Sequence, residues 1–221
     1  MASQDSSGRP WLWRSASVDM LDSAGFRQLA EAGVRRILDL REPSEYSSGI
    51  CSEERAIPTH RLPLYDFPDG PPRSGSFAEV YDLLLHHRPE RVIDAVRYIA
   101  EAPRGVLVHC TLGKDRTGLI IALSRLAAGD REDEVIADYA ASASQLSAQQ
   151  RDWVISRIRA QAPDPATQQQ ALDLHLTSPA AALGAVVKTL KENWGGADGY
   201  LRHYGMPDEA IAALRARAER R

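Results

Sequence analysis

The order of apolar and polar positions predicts strands alternating with helices in the first part of the chain. Residues 34–40 predict a strand after a helical pattern over residues 19–32, and residues 60–64 predict another short strand. Helical spacing returns over residues 77–86 and 89–102. Alternation of this kind favours an α/β core with a mainly parallel central sheet flanked by helices.

One junction joins a predicted buried strand to a predicted buried helix. Val106, Leu107 and Val108 form a continuous apolar run, which is typical of a parallel strand covered on both faces. Residues 119–128 are apolar almost all round and end near Gly129, as a buried helix would. The connection between them, residues 109–118, reads HCTLGKDRTG. A loop between a buried strand and a buried helix is the structural context that phosphate-binding motifs require.

The remainder of the chain predicts a helical C-terminal half within one domain. Helical segments are expected over residues 132–142, 147–160, 165–174, 179–194 and 207–220. Residues 1–9 are expected to be disordered, and residues 68–75 form a Pro/Gly-rich loop. Residues 145–175 allow two interpretations, a lid or substrate-facing wall over the site and a plain helical bundle packed on the sheet.

Composition excludes several classes of function. The 221 residues are 43% hydrophobic and 26% charged, which suits a single folded domain. A formal net charge of -3 argues against bulk attraction to nucleic acid or to an anionic membrane. The sequence has neither a long apolar stretch nor a basic, apolar leader, and its two cysteines provide no disulfide framework. The expected location is therefore the cytoplasm, with no membrane insertion.

The central loop carries the candidate chemistry. Cys110 and Arg116 are six positions apart, and a cysteine attacks phosphorus only as its thiolate. If the loop curls, the amides of residues 111–116 (Thr111, Leu112, Gly113 and Lys114 among them) form an anion-binding nest at a helix N-terminus. Arg116 would bind two phosphoryl oxygens, and the hydroxyl of Thr117 would hydrogen-bond the sulfur when the sulfur becomes a leaving group. Gly118 would let the helix pack close to the loop.

These residues match the HCxxGxxR signature of cysteine-dependent phosphatases, followed by Ser or Thr and then Gly. The fuller HCxxGKDRTG form resembles the bacterial protein tyrosine phosphatases of the mycobacterial PtpB type. Three further segments resemble parts of that family: LWRSA at residues 12–16, ILDLR at residues 37–41 with Glu42 and Glu45, and the stretch from Gly195 to Leu201. The resemblance implies a cysteine-phosphatase fold and dephosphorylation of protein phosphotyrosine through a phosphocysteine intermediate. It also implies that no cofactor is needed and, because several members accept them, that phosphoinositides are possible substrates.

The general acid is left open between two places in the sequence. The resemblance implies Asp115, inside the loop, because the aspartate of the Lys-Asp-Arg form has that role in this branch. Many tyrosine phosphatases instead use an aspartate on a separate loop, and here Asp66 or Asp69 could reach over the site.

Four more residues have alternative interpretations. Lys114 either is solvated or contacts a polyanionic head group, and Arg41 either approaches the phosphate or pairs with Glu42 or Glu45. His109 is expected to brace the loop through a hydrogen bond rather than to carry protons. Cys51 is expected to be an inert thiol, with a protective disulfide to Cys110 as the alternative. No Cys/His cluster predicts a metal site.

The sequence therefore predicts a metal-independent phosphomonoesterase acting on phosphotyrosine proteins. Dual specificity and phosphoinositide hydrolysis, as a second or as the main activity, are the enzymatic alternatives. The alternative from another class is a pseudophosphatase that binds a phosphorylated ligand without turnover. Loss of the cysteine or the arginine usually marks that class, and both residues are present here.

Overall fold

The computed structural model describes residues 2–4, 8, 10–46, 57–67, 70–72, 75–102, 105–162 and 164–218. Within these ranges five strands form one sheet in the order β1-β2-β5-β3-β4. The strands are β1 (Ala2–Gln4), β2 (Pro10–Ser15), β3 (Arg36–Asp39), β4 (Thr59–Arg61) and β5 (Val106–His109). Strands β2, β5, β3 and β4 are parallel, and β1 pairs antiparallel with β2 at the edge. The predicted mainly parallel α/β sheet is confirmed.

Ten α-helices occupy the same described ranges. They are α1 (Ser23–Glu31), α2 (Phe77–Asp82), α3 (Pro89–Glu101), α4 (Asp115–Ala128), α5 (Glu132–Ala140), α6 (Ala148–Gln161), α7 (Pro165–Leu176), α8 (Ala180–Trp194), α9 (Ala197–His203) and α10 (Asp208–Ala218). One π-helical turn, Leu83–His87, continues α2. The helical C-terminal half is therefore present, with α9 as an addition to the predicted segments.

Apolar clusters cover both faces of the sheet. Neighbouring residues of a strand point to opposite faces, so a strand buried on both sides is apolar at every position. Val106 and Val108 of β5 pack in the large core with α3, α4 and α10, whereas Leu107 faces a smaller cluster with Phe26 of α1. Ile37 joins Leu107 in that smaller cluster. This burial on both faces explains the continuous apolar run of β5. The candidate loop begins where this buried strand ends.

The expectation of disorder over residues 1–9 is wrong for Ala2–Gln4, which form β1. Residues Ala2 and Ser3 pair with Trp13 and Leu12, and the register shifts before Gln4. Three small or polar residues at a sheet edge carry no apolar alternation. Their pairing was therefore not visible in the sequence.

Helices α6 and α7 pack chiefly against each other. Val154 and Ile158 of α6 form a small cluster with Ala171 of α7, and Leu112 of the central loop is packed against it. This cluster is separate from the main core. The two helices therefore stand beside the loop.

Candidate active site

The loop between β5 and α4 runs from Cys110 to Arg116, and we call it the phosphate loop. The Thr111 carbonyl accepts a hydrogen bond from the Ser17 amide at 3.1 Å, and the Gly113 carbonyl accepts one from Arg14 at 2.8 Å. Because the peptide bonds are trans, the amides that follow these two carbonyls point the opposite way, away from Ser17 and Arg14. This is the orientation that the predicted anion-binding nest requires.

Gly113 is required at the turn of the phosphate loop. Its φ is +68°, and a Cβ atom there would lie 2.2 Å from the carbonyl oxygen of Ser15. No side chain fits that space. The loop therefore approaches the end of β2 more closely than any other residue type would allow.

Arg116 is buried and binds Glu45 through both terminal nitrogens. Nη1 donates to Oε2 at 2.6 Å and Nη2 donates to Oε1 at 2.7 Å. Nη1 also donates to the carbonyl of Leu40 at 3.3 Å. No acceptor among the described residues takes the N–H of Nε. The edge formed by Nε and the second N–H of Nη2 therefore remains for a ligand.

Glu45 is the functional residue whose role the sequence did not reveal. Burial raises its pKa, but the hydrogen bonds and charge of Arg116 outweigh burial and lower the pKa to about 2. The hydroxyl of Thr111 also donates to Glu45, and the Glu42 amide donates to its Oε2 at 2.9 Å. Glu45 is the last residue of the DLRxxxE pattern that begins at the end of β3. That pattern was the signal in the sequence that could have indicated its role.

Arg41 belongs to a buried ionic network and does not reach the phosphate loop. Its guanidinium binds Asp39, with Nη2 2.8 Å from Oδ2, and Asp19, with Nη1 2.5 Å from Oδ2. The prediction that Arg41 forms an ion pair with Glu42 or Glu45 is therefore wrong. Both true partners lie at or beyond the ends of strands, where Arg41 can bridge them.

His109 is the last residue of β5, directly before the phosphate loop, and its side chain is fully buried. Its Nδ1 donates to the carbonyl of Cys110 at 3.1 Å and lies 3.8 Å from Asp39. Burial lowers the pKa of His109, and the charge of Asp39 offsets only part of that effect. A fully buried, neutral imidazole agrees with the expected bracing role.

Lys114 is completely buried, so its interpretation as a solvated residue is wrong. Nζ donates to Asp115 at 2.6 Å and to the carbonyl of Leu174 on α7 at 2.7 Å, and it lies 4.9 Å from the centre of the Phe77 ring. The side chain does not line the cleft described below. Its ammonium group is therefore committed to contacts inside the protein.

The three candidate acids are placed differently. Asp115 is the first residue of α4 and lines the same cleft as Cys110. Asp66 has a half-exposed side chain, forms an ion pair with Arg91 and does not line the cleft. Asp69 lies outside the described residues, as does Cys51. The geometry therefore brings Asp115, and not Asp66, to the cysteine.

One prediction at the start of α4 differs from the structure and another stays a prediction. The hydroxyl of Thr117 is buried without a hydrogen-bond partner in the described part of the chain, which leaves it free for the expected bond to the sulfur when the sulfur is the leaving group. Gly118 gives close packing to α5 rather than to the loop, since a Cβ there would lie 2.8 Å from the Tyr139 ring.

Cys110, Asp115 and Arg116 share a cleft of about 250 Å³. Its walls are largely apolar, formed by Tyr65, Pro71, Pro72, Val80, Leu112, Val154, Ile158 and Leu174. Glu45 lies on the floor beside Arg116, and Trp153, Arg157 and His175 come from α6 and α7. A buried thiol beside a guanidinium, in an apolar cleft open to solvent, suits attack on a phosphate ester.

A family model described as "Tyrosine phosphatase family" matches residues 7–218. The chain belongs to this family. Together with the two relatives described next, this match confirms the predicted resemblance to the PtpB-type tyrosine phosphatases and the prediction of a protein-tyrosine phosphatase.

Similar proteins carry related names. The chain is 31% identical over 223 residues to a "Tyrosine-protein phosphatase" of Nostoc commune, which covers 92% of this chain and 72% of that protein. It is 28% identical over 245 residues to "Triple specificity protein phosphatase PtpB" of Mycobacterium tuberculosis, with 92% and 89% covered.

Among solved structures, the core catalytic domain of the PP-IP phosphatase SIW14 from S. cerevisiae has 15% identity and a TM-score of 0.43, covering 86% of this chain and 95% of that one. A protein of Neisseria meningitidis titled "a putative phosphatase" has 20% identity and a TM-score of 0.35, covering 55% of this chain and 78% of that one. Both TM-scores are low, so the family assignment depends on the sequence matches.

Two features are absent from the described ranges of this tyrosine phosphatase family member, a membrane-spanning helix and a metal-binding cluster. None of the helices there has both the length and the apolar character to cross a membrane. Nor do those ranges bring three or more His, Cys, Asp or Glu side chains together in a way that could hold a metal ion.

Proposed function

We propose that the protein hydrolyses phosphotyrosine in proteins through a phosphocysteine intermediate on Cys110. The observation that supports this most directly is that Cys110, Arg116 and Asp115 line one cleft at the N-terminus of α4. A helix N-terminus with inward amides stabilises both a thiolate and a bound phosphate. Neither a metal nor a cofactor is required for this chemistry.

In the first step the thiolate of Cys110 attacks phosphorus and the ester oxygen leaves. The free Nε and Nη2 edge of Arg116 binds two phosphoryl oxygens, and Glu45 holds the guanidinium in place from the other edge. The loop amides bind the remaining charge. These donors are fixed before substrate arrives, so the transition state gains them with little reorganisation.

Asp115 is the proposed general acid. As the carboxyl group it protonates the leaving oxygen, and as the carboxylate it then accepts a proton from the water that hydrolyses phosphocysteine. Its Oδ1 is held by Lys114 at 2.6 Å, which fixes the direction of the carboxyl group. The hydroxyl of Thr117 is available to the sulfur when phosphocysteine breaks.

The apolar walls of the cleft support an aryl phosphate as the leading substrate, because a phenyl ring gains free energy by leaving water there. Dual specificity and phosphoinositide hydrolysis remain narrower alternatives. We assign α6 and α7 the role of a substrate-facing wall, since residues from both helices line the cleft. The cytoplasmic location stays a prediction.

Hydrolysis of a phosphotyrosine peptide in EDTA, by the wild type and by Cys110→Ser, tests the proposal. We expect metal-independent turnover that Cys110→Ser abolishes. Asp115→Asn should slow turnover by about 10²-fold or more, with larger losses for poorer leaving groups, whereas the matched control Asp66→Asn should not. Binding of the peptide by the wild type without turnover would instead support the pseudophosphatase.

A further inference from the structure

Two arginines line the cleft, and both stack on aromatic rings in the same way. The Cζ atom of Arg116 lies 5.3 Å from the centre of the Tyr65 ring, which also lines the cleft. The Cζ atom of Arg157, on α6, lies 5.3 Å from the centre of the Trp153 ring at the rim. Stacking occupies a face of a guanidinium and leaves its in-plane N–H groups for hydrogen bonds with anions.

The two arginines differ in what their N–H groups bind. Glu45 already binds Arg116 with two hydrogen bonds, which shows that a carboxylate fits an arginine held in this manner. Arg157 has no carboxylate partner among the described residues, and its side chain is exposed. It is therefore a cation fixed by an aromatic ring, on the wall of the cleft, with its hydrogen-bonding edges open.

We propose that Arg157 binds a second anionic group of the substrate, a glutamate or aspartate close to the phosphotyrosine in an acidic peptide. This inference rests on the proposed function. Trp153, 45% exposed, would contact the peptide beside that carboxylate. Arg157 thus determines which phosphotyrosine sites are preferred and takes no part in the chemical step.

The charges around the cleft favour a peptide over a polyphosphorylated lipid head group. Two carboxylates, Glu45 and Asp115, line the cleft together with the two arginines, and Arg116 is committed to the reacting phosphate. Among the described residues that line the cleft, Arg157 is an exposed cation without a carboxylate partner, and it matches one carboxylate of a peptide. Several additional phosphates would need further cations, and Lys114, the lysine of the phosphate loop, is buried and does not line the cleft.

The experiment compares Arg157→Met with Arg159→Met. Both substitutions remove one positive charge from α6, but Arg159 is exposed and does not line the cleft. The substrates are a phosphotyrosine peptide flanked by glutamates, the same peptide with glutamines, p-nitrophenyl phosphate, and a short-chain phosphatidylinositol bisphosphate.

We expect Arg157→Met to lower kcat/KM for the glutamate peptide by about fivefold to tenfold, as for the loss of one charge-assisted hydrogen-bonded pair. The loss should be in KM and should shrink at high salt. The glutamine peptide, p-nitrophenyl phosphate and all reactions of Arg159→Met should be unchanged.

Equal losses on both peptides, or no loss on either, would overturn the proposal. A loss confined to the lipid would also overturn it and would assign Arg157 to a head-group phosphate. The proposed function is tested separately, because it fails if the wild type hydrolyses neither phosphotyrosine peptide or if Cys110→Ser still does, whatever the effect of Arg157→Met.

Discussion

Replacing Glu45 by glutamine removes the charge that holds Arg116 and should make the stability of the protein less dependent on pH. The pKa of Glu45 falls from 4.5 to about 2 on folding. Since one pKa unit corresponds to about 1.4 kcal/mol, the ionised carboxylate stabilises the fold by about 3 kcal/mol at neutral pH. A lowered pKa means that this stabilisation is complete well above pH 4.5 and is lost as the pH falls towards 2.

Urea unfolding of the wild type and Glu45→Gln at pH 7 and pH 3.5 measures the effect. The wild type should exceed Glu45→Gln in free energy of unfolding by about 1.4 kcal/mol less at pH 3.5 than at pH 7, because part of the carboxylate is then protonated in the unfolded chain. Glu31→Gln, at the exposed end of α1, is the control and should follow the wild type. If the wild type and Glu45→Gln lost stability in parallel between these pH values, the carboxylate would not be ionised and paired as the structure indicates.

Three further substitutions test the supports of the site. Gly113→Ala places a Cβ atom 2.2 Å from the Ser15 carbonyl oxygen, so it should abolish activity and lower the free energy of unfolding by more than 2 kcal/mol. Its control is Gly129→Ala, where nothing lies within 4 Å of the added Cβ atom. That change should lower the free energy of unfolding by about 1 kcal/mol and leave kcat unchanged. Arg41→Met removes the guanidinium that binds buried Asp39 and partly buried Asp19, and it should destabilise the fold by about 3 kcal/mol or more in urea unfolding. Lys114→Met should lower kcat more for alkyl than for aryl phosphates, and equal effects on both would contradict its contact with the general acid.

The parts of the site that the sequence predicted lie close together in the chain. Cys110, Asp115 and Arg116 occupy one tight loop, so their spacing alone indicates that they share a site. The apolar runs on either side placed that loop between a strand and a helix because burial on two faces leaves a clear pattern. Local chemistry and hydrophobic periodicity were sufficient for this much.

The parts that the sequence did not predict depend on contacts between distant segments. Glu45 meets Arg116 across 71 positions, and Lys114 meets the Leu174 carbonyl across 60. A lysine beside a polar motif is normally solvated, and nothing in its neighbourhood indicates that α7 returns to cover it. Arg157 likewise becomes part of the cleft only through the packing of α6.

The supports of the phosphate loop and the wall beside it have different physical characters, which assigns them different roles. Arg14 holds the Gly113 carbonyl and Glu45 holds Arg116, in each case through buried charged hydrogen bonds. Such bonds are costly to break, so the groups that meet the transition state are fixed in advance. The wall, by contrast, packs through a small apolar cluster and presents exposed Trp153 and Arg157. Substitutions in the supports should therefore lower kcat, whereas substitutions on α6 should change KM and the choice of substrate.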